Sequence, residues 1–350
     1  VCVCVCVCVC VCVCVCVSCV VATVMAEQSI KLVSPPVDGI SAVAFAPDSN
    51  LLVSSSWDTS VRVYDAAGNS LRGQYSHLNA VLDCCWGADS NRVFSGGLDQ
   101  TLRMCDVTTL QDSTVGEHDK PIRKVVYSPE SGLLVSGGWD CAVKIWDTRR
   151  DNALVATVEL PERVYTMSVA GNRLVVGTAE RFINIYDLRN PTEPEQRRES
   201  SLKYQTRVVA CSPDHQEFAV GSVEGRVAVE YFDQSPDMQA RKFAFKCHRK
   251  KIGGIDNVYP VNAIAYHPIH GTFATGGCDH KVSVWDVAHK RKITEFAFPN
   301  SIASLSFNHD GSLLAVASSY TFEEGETEHA GDDIFIKTLE ARDVEPRSSS

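Results

Sequence analysis

Several motifs that would indicate an enzyme or a secreted protein are missing from the sequence. It contains no G-x-S-x-G, no P-loop and no H-E-x-x-H, which are signatures of hydrolases, nucleotide-binding enzymes and zinc peptidases. It also lacks N-x-S/T sequons. After Met25, no stretch approaches the roughly 18–20 apolar residues of a membrane-spanning helix. We therefore predict a soluble protein that is not an enzyme and uses no metal or cofactor.

A net basic charge is also missing. The 350 residues include 33 Lys and Arg but 43 Asp and Glu, giving a formal net charge of −10 and a pI near 5.5. General nucleic-acid binding needs a basic surface that releases counterions. Nucleic acid is therefore not an expected partner, although local basic stretches could bind a specific anionic group.

Paired cysteines are missing, although cysteine itself is abundant. Nine of the 16 cysteines fall in residues 1–24, where Val and Cys alternate without a break over residues 1–17. A (GT)n repeat read in frame encodes this pattern, so we expect a translated simple-sequence leader and a natural start at Met25. A genuine Cys-rich β-tract is the alternative. The other seven cysteines form no C-x-x-C pair and stand mostly at apolar positions, which is typical of reduced intracellular proteins.

What the sequence does contain is a repeated turn-and-strand motif. Its clearest copy is GGWDCAVKIWD, which ends at Asp147, and three other copies carry their turn aspartates at Asp58, Asp99 and Asp279. In all four, the turn Asp stands six residues before an aromatic residue or Cys, and seven before a closing Asp. A fixed offset of this kind is typical of a repeated β-sheet unit.

The period of the repeat predicts the fold. Closing aspartates at positions 65, 106, 147, 187, 233 and 286 are separated by 41, 41, 40, 46 and 53 residues. Four short strands in roughly 40–45 residues form one propeller blade. We predict an all-β, seven-bladed WD40 β-propeller over residues 25–340, with a disordered tail over 341–350. An acidic loop (Ser318–Asp333) interrupts the seventh unit, and a lone strand near Ile30 is expected to supply that unit's outer strand.

The polar residues of the motif are expected to build the blades. Asp140, Trp146 and His118 would form a buried hydrogen-bond network, and blade two has a partial counterpart in His77, Ser95 and Asp99. For these residues a structural role is favoured over a catalytic one. Cys247 and His248 adjoin in the sequence but have no evident third partner, so neither a nucleophile nor a metal site is expected there.

Two tryptophans exceed what a blade needs. Trp57 and Trp139 occupy the same turn position in blades one and three, at the end of the propeller where the chain passes between blades. Exposed indoles are typical anchors of binding interfaces, so we predict that both contact a partner. The alternative is that each folds onto the edge of its own blade.

Two basic stretches are also not required by the propeller scaffold. Residues 196–207 and 241–251 are interpreted as neighbouring inter-blade connections, with Arg226 between them. Arg207, Arg226 and Lys246 are expected to converge as a site for a phosphate or carboxylate. The alternatives are a solvated basic loop, or an RNA-stacking surface formed with Tyr204, Phe243 and Phe245.

Several long stretches resemble the Bub three family of spindle-checkpoint proteins. They are Ser54–Arg62, Arg197–Arg207, Glu224–Tyr231, Phe243–Arg249 and Tyr259–Asn262. The resemblance implies a monomeric, non-catalytic propeller in the nucleus, at kinetochores in mitosis and in the cytoplasm. The leader over residues 1–24 departs from the family.

The resemblance also implies partners and site residues. The family binds a Gle-two-binding segment of checkpoint kinases and pseudokinases, and Trp57, Trp139 and Arg207 match residues that bind it. It also reads phosphothreonine in Met-Glu-Leu-Thr repeats of a kinetochore scaffold, and Arg226 and Lys246 match the phosphate-binding positions. A ubiquitin-binding checkpoint complex is a further candidate partner.

Two other functions stay open at this point. An mRNA-export adaptor of nuclear pores has the same fold, but it differs in the Arg198–Arg207 and Glu224–Tyr231 stretches. A ubiquitin-ligase substrate receptor would have the same fold and no chemistry of its own. The partners recovered in a pull-down would separate these functions from a checkpoint adaptor.

Overall fold

Seven four-stranded antiparallel sheets form a closed ring. The computed structural model describes residues 29–346, so the expected leader over residues 1–24 lies outside the described residues. The first strand of each sheet contacts the first strands of the sheets before and after it, and blade seven returns to blade one. This arrangement confirms the predicted seven-bladed, all-β propeller.

The strands follow the chain from the centre of each blade outward. After β1 (Ser29–Lys31), blade one contains β2 (Ile40–Phe45), β3 (Leu51–Ser56), β4 (Ser60–Asp65) and β5 (Ser70–Ser76). Blade two contains β6 (Val81–Trp86), β7 (Arg92–Gly97), β8 (Thr101–Asp106) and β9 (Asp112–Glu117). Blade three contains β10 (Ile122–Ser128), β11 (Leu133–Gly138), β12 (Ala142–Trp146) and β13 (Leu154–Glu159).

Blades four and five have outer strands within the two basic stretches. Blade four contains β14 (Val164–Ala170), β15 (Arg173–Thr178), β16 (Phe182–Asp187) and β17 (Gln196–Glu199), with a 3-10 turn at Ala179–Arg181. Blade five contains β18 (Thr206–Cys211), β19 (Glu217–Ser222), β20 (Arg226–Tyr231), a short helix α1 (Pro236–Gln239) and β21 (Phe243–Lys246). The interpretation of both stretches wholly as inter-blade connections was therefore wrong, because edge strands tolerate charged side chains.

A separate hairpin precedes blade six, and blade seven combines β1, from the start of the described residues, with strands near their end. The hairpin strands are β22 (Arg249–Ile252) and β23 (Ile255–Val258). Blade six contains β24 (Val261–Tyr266), β25 (Phe273–Gly277), β26 (Lys281–Asp286) and β27 (Arg291–Ala297). Blade seven contains β28 (Ile302–Phe307), β29 (Leu313–Ser318) and β30 (Asp333–Thr338), with β1 paired outside β30. The expected closure by the strand near Ile30 is confirmed.

The C-terminal segment is ordered further than predicted. A short helix, α2 (Ala341–Val344), follows blade seven. Val344 is buried, and its carbonyl oxygen accepts a 2.8 Å hydrogen bond from Thr272 Oγ1. The prediction of disorder was thus wrong for residues 341–346, because Val344 packs into the apolar cluster between blades six and seven.

Apolar clusters between neighbouring blades hold the ring together. Between blades three and four, Val135, Ile145, Val164 and Val176 lie in one such cluster and are at most 1% exposed. Because the blades pack face to face, their middle strands are covered on both sides.

Within residues 29–346, the helices are too short to cross a lipid bilayer.

The predicted polar network fastens blade three. His118 Nδ1 lies 2.9 Å from Asp140 Oδ2, and its Nε2 lies 2.7 Å from Ser136 Oγ, which accepts a 2.8 Å hydrogen bond from Trp146 Nε1. A Cβ at Gly138 would lie only 2.8 Å from the His118 ring, so this position requires glycine. The network is confirmed and gains Ser136.

The partial network predicted for blade two is confirmed as well. His77 lies 2.9 Å from Asp99 Oδ2 and 2.7 Å from Ser95 Oγ. Here the Tyr75 hydroxyl, also 2.7 Å from Ser95 Oγ, fills the role of the Trp146 indole. Cys105 occupies the Trp146 position of this blade and is fully buried.

Candidate functional site

Each blade contributes one bulged residue to the centre of the ring. In all seven innermost strands the register slips by one residue after the first pair, which leaves the second residue unpaired. A β-bulge turns such a side chain out of the regular alternation. The seven bulged residues all line one central cavity of about 670 Å³, and they are Ser41, Leu82, Arg123, Tyr165, Arg207, Asn262 and Ala303.

Trp57 and Trp139 line the same cavity. Both follow a second strand, and their backbone N–H groups donate to the carbonyls of Gly39 and Pro121, at 2.8 and 2.9 Å. These bonds fix each turn beside the first residue of the innermost strand of the same blade. Trp57 is 50% exposed, so much of its indole is free to contact another molecule. The structure therefore brings Trp57, Trp139 and Arg207 together, and their role in binding stays a prediction.

The cavity is aromatic, and its lining has three arginines against two aspartates, Asp38 and Asp332. The sequence did not indicate two of these arginines. Arg123 and Arg163 add guanidinium groups to that of Arg207. Burial lowers the pKa of Arg123, with the charge of Arg207 acting in the same direction and that of Asp83 opposing it. Arg207 Nη2 donates to Asn262 Oδ1 at 3.0 Å, which orients the guanidinium. An acidic group entering the cavity would gain charge-assisted hydrogen bonds.

The seven bulged residues share a position in the repeat and not a residue type. Each of the seven bulged residues is the second residue of a unit's first strand, a place where strict alternation predicts a side chain packed between blades. Since a bulge leaves no mark in the hydrophobic pattern, Arg123 and Tyr165 were missed.

Arg226 and Lys246 form a separate site on the outer half of blade five. They are directly opposite each other in the β20–β21 pair. Lys246 is exposed. Arg226 Nε is buried and lies 3.7 Å from Glu224 Oε2, and it has no hydrogen-bond partner among the described residues. The Arg226 side chain is 37% exposed as a whole, and two adjacent, accessible cations are suited to a phosphate group.

The expected convergence of Arg207 with this pair was wrong. Arg207 projects from the bulge of β18 into the central cavity, whereas Arg226 and Lys246 belong to the third and fourth strands of the blade. At about 4.8 Å per strand, the backbones of β18 and β20 are roughly 10 Å apart. Within residues 29–346, these three cations therefore lie at two sites instead of one.

Cys247 and His248 take up structural positions. His248 Nδ1 lies 2.7 Å from Asp279 Oδ1, and its Nε2 lies 2.8 Å from Thr275 Oγ1, which also accepts from Trp285 Nε1. His248 therefore has the partners that were not evident in the sequence, because the hairpin separates it from Asp279. Burial raises the pKa of Cys247 to about 12, which keeps the thiol protonated at neutral pH. Residues 29–346 contain no cluster of three or more His, Cys, Asp or Glu placed to hold a metal ion.

Comparisons with known proteins identify the repeat and the relatives of this chain. The WD domain, G-beta repeat family matches residues 27–65, 68–106, 110–147 and 244–286. The chain is 51% identical to mitotic checkpoint protein BUB3.1 of Arabidopsis thaliana over 330 residues, covering 93% of this chain and 97% of the relative. It is 47% identical to mitotic checkpoint protein bub3 of Dictyostelium discoideum over 308 residues, covering 87% and 93%.

More distant matches share the fold. The Poly(A)+ RNA export protein of Schizosaccharomyces pombe is 38% identical over 315 residues, covering 87% of this chain and 88% of the relative. The crystal structure of the RRP9 WD40 repeats superposes with a TM-score of 0.77 at 15% identity, covering 90% of this chain and 98% of that one. By its higher identity to the checkpoint proteins, the chain belongs to the Bub three (Bub3) family of WD40-repeat mitotic checkpoint proteins.

Proposed function

We propose that this spindle-checkpoint protein is a non-catalytic adaptor with two peptide sites on one end of the propeller. The central cavity binds a segment of a checkpoint kinase or pseudokinase, and blade five binds a phosphothreonine motif of the kinetochore scaffold. The observation that carries the proposal is the gathering of Trp57, Trp139 and Arg207 around one cavity, apart from the Arg226–Lys246 pair. Two separate sites allow one protein to bring the kinase to the scaffold.

The cavity suits a segment that carries both acidic and apolar side chains. Trp57 and Trp139 offer apolar surface with an indole N–H at its edge. Arg123, Arg163 and Arg207 supply positive charge within the same concavity. Aromatic and arginine side chains dominate the binding free energy of many protein interfaces.

The blade-five pair suits a phosphorylated side chain. A phosphothreonine carries a charge of about −1.5 to −2 and three acceptor oxygens at neutral pH. Arg226 is able to donate two hydrogen bonds to such a group, while Lys246 contributes a point charge. The nearby Glu224 carboxylate lies 3.7 Å from Arg226 Nε, beyond hydrogen-bond distance, and the Arg226 side chain is 37% exposed, so its exposed part can contact a phosphate.

A phosphopeptide titration tests the blade-five site. We expect a fluorescent Met-Glu-Leu-phosphothreonine peptide to bind the wild type, and its unphosphorylated form to bind far more weakly. Arg226→Ala with Lys246→Ala should abolish binding. Lys31→Ala with Arg72→Ala is the matched control, since it removes the same charge from exposed positions on other blades. Unchanged anisotropy curves for the blade-five variant would contradict the assignment.

A second titration, with the kinase segment, tests the cavity. Trp57→Ala should weaken binding by about 2 kcal/mol or more, because it removes an aromatic anchor. Leu78→Ala removes another apolar side chain, 91% exposed and outside the cavity lining, and should have little effect. Repeating the phosphopeptide titration with and without the kinase segment shows whether the two sites bind independently.

An mRNA-export role is the second candidate, supported by the 38% identity to an RNA export protein. A pull-down from mitotic cells separates the two: kinase and kinetochore scaffold support the checkpoint adaptor, whereas nucleoporins support export.

The proposal of a checkpoint adaptor also includes a monomeric propeller in the nucleus, at mitotic kinetochores and in the cytoplasm, with a ubiquitin-binding checkpoint complex as a further partner. Light scattering and imaging of the tagged protein check these points.

A further inference from the structure

The hairpin before blade six is an insertion into the blade pattern. The network histidine and aspartate are 22 residues apart in blades two and three, but 31 apart in blade six. The difference, 31 − 22, is nine residues. Strands β22 and β23 lie within this longer segment, so the hairpin is additional to what the blade needs.

In the part of the chain that the structure describes, the hairpin has no other strand to pair with. Gly253 and Gly254, with φ of 57° and 85°, form a two-residue turn that sets Ile252 opposite Ile255. Among residues 29–346, β22 and β23 pair only with each other. Both outer edges therefore keep unpaired backbone groups. A two-stranded hairpin alone is marginally stable in water and is readily extended by a third strand.

The hairpin carries exposed apolar and basic side chains. Ile252 is 50% exposed and Ile255 is 71% exposed. Lys250 and Lys251 are also exposed, and three cations against Asp256 give Arg249–Val258 a net charge of +2 within a chain of net charge −10. An extended segment with acidic and apolar side chains complements this surface.

The base of the hairpin adjoins the Arg226–Lys246 pair. Arg249 donates to the Glu224 carbonyl oxygen from Nε at 3.1 Å and from Nη2 at 2.7 Å. Cys247 N donates to the Gly225 carbonyl at 3.0 Å. These contacts hold the start of β22 against the turn that leads into Arg226. A peptide bound at Arg226 and Lys246 therefore has the hairpin directly beside it.

We propose that the β22–β23 hairpin is a second contact for the phosphorylated scaffold peptide. An acidic, extended segment flanking the phosphothreonine pairs with a free edge of the hairpin as a third strand. An apolar side chain of this segment packs on Ile252 and Ile255, while the alternate carboxylates face the side of the hairpin that carries Lys251. Lys250 shares the face of the isoleucines and adds positive charge beside them. This inference rests on the phosphothreonine binding proposed above.

Three phosphopeptides test the inference by fluorescence anisotropy. One is the minimal Met-Glu-Leu-phosphothreonine peptide, and the others extend it at the N- or the C-terminus by six residues alternating Glu and Val. We expect one extension to tighten binding to the wild type by about tenfold, the gain that a few cross-strand pairs provide. If neither extended peptide binds more tightly than the minimal one, the inference is wrong.

Substitutions by uncharged residues then show which hairpin side chains cause the tighter binding of the extended peptide. Ile252→Ser with Ile255→Ser should reduce the ratio of minimal to extended Kd to about one, with the Kd of the minimal peptide unchanged. Lys250→Gln with Lys251→Gln should reduce the ratio in part. Ile269→Ser is the control, because Ile269 is 67% exposed in the turn between β24 and β25, at the opposite end of the propeller.

The outcomes separate this inference from the proposed function. An unchanged ratio in the isoleucine variant overturns the hairpin contact, even where Arg226 and Lys246 prove necessary. A wild type that does not bind the minimal phosphopeptide overturns the proposed phosphothreonine site, and the hairpin contact with it. Because the tested isoleucines are exposed, the variants should fold, and thermal melts check this point.

Discussion

Blades three and five use the same positions for different purposes. In blade three, Trp146 lies opposite Leu134 and belongs to the network with Ser136, His118 and Asp140. In blade five, Glu230 holds the corresponding place opposite Phe218. Glu230 is 3% exposed. It lies 3.1 Å from Ser201 Oγ, 3.4 Å from Arg198 Nη1 and 3.7 Å from Lys242 Nζ.

The difference shows how a repeat can replace part of its scaffold beside a proposed binding site. A hydrogen-bond network of Trp146, Ser136, His118 and the Asp140 carboxylate closes blade three and leaves Trp139 at the cavity rim. Blade five is held by ion pairs, and it presents Arg226 and Lys246 on its surface. Ion pairs that are buried must be matched closely, since an unpaired charge inside a protein is costly. The following variants test this contrast.

The largest effect is expected in blade three. Trp146→Ala should lower the free energy of unfolding by about 3–5 kcal/mol, because it removes a buried indole and leaves a cavity. Trp139→Ala is the matched variant of the same blade and should change stability by less than about 1 kcal/mol, since this indole lines the open cavity. Urea unfolding measures both values. Equal losses would show that Trp139 is also part of the scaffold.

A somewhat smaller loss is expected from blade five. Glu230→Ala should cost about 3 kcal/mol, because Arg198, whose side chain is 12% exposed, would lose its buried partner. Combining Arg198→Met with Glu230→Leu should recover much of the loss, since apolar replacements often substitute for a buried ion pair. If the double variant is less stable than Glu230→Ala, the pair contributes more than charge compensation.

The third prediction concerns pH and the hydrogen-bond networks. Burial by itself raises the pKa of Asp99, but the hydrogen bond and charge of His77, with Thr101, outweigh it and bring the pKa to about 2. In the unfolded chain the pKa of Asp is about 3.9. The paired carboxylate therefore stabilises the fold above about pH 4, and this contribution is lost as the pH falls towards 2.

Replacing that carboxyl should flatten the acid response. Between pH 5 and pH 2, the stability of Asp99→Asn should fall by about 1–2 kcal/mol less than that of the wild type. Denaturant titrations at several pH values measure the difference. Parallel pH profiles for the two proteins would show that Asp99 does not carry this dependence.

The sequence predicted the repeat well and the special features of individual blades less well. The fixed offset from Asp140 to Trp146 reports on strand length and turn type, so the fold and the networks of blades two and three followed from it. The ring of Arg123 and Tyr165 depends on bulges, which alter geometry without altering hydrophobic pattern. The partners of His248 were missed because an inserted hairpin broke the spacing on which the prediction relied.

The smallest effect on stability is expected at the proposed phosphate site. Arg226→Ala with Lys246→Ala should change the free energy of unfolding by no more than about 0.5 kcal/mol, as is usual for exposed or loosely paired charges. The Arg226 side chain is 37% exposed and its Nε lies 3.7 Å from Glu224 Oε2, and Lys246 is exposed. Without Arg226, Glu224 keeps Arg249 at 3.8 Å and the backbone N–H of Lys203 at 3.3 Å. Urea unfolding of this variant beside Glu230→Ala therefore compares two charged sites of one blade. A loss of several kcal/mol in both would mean that Arg226 and Lys246 belong to the scaffold, and that any loss of phosphopeptide binding in the variant reflects unfolding.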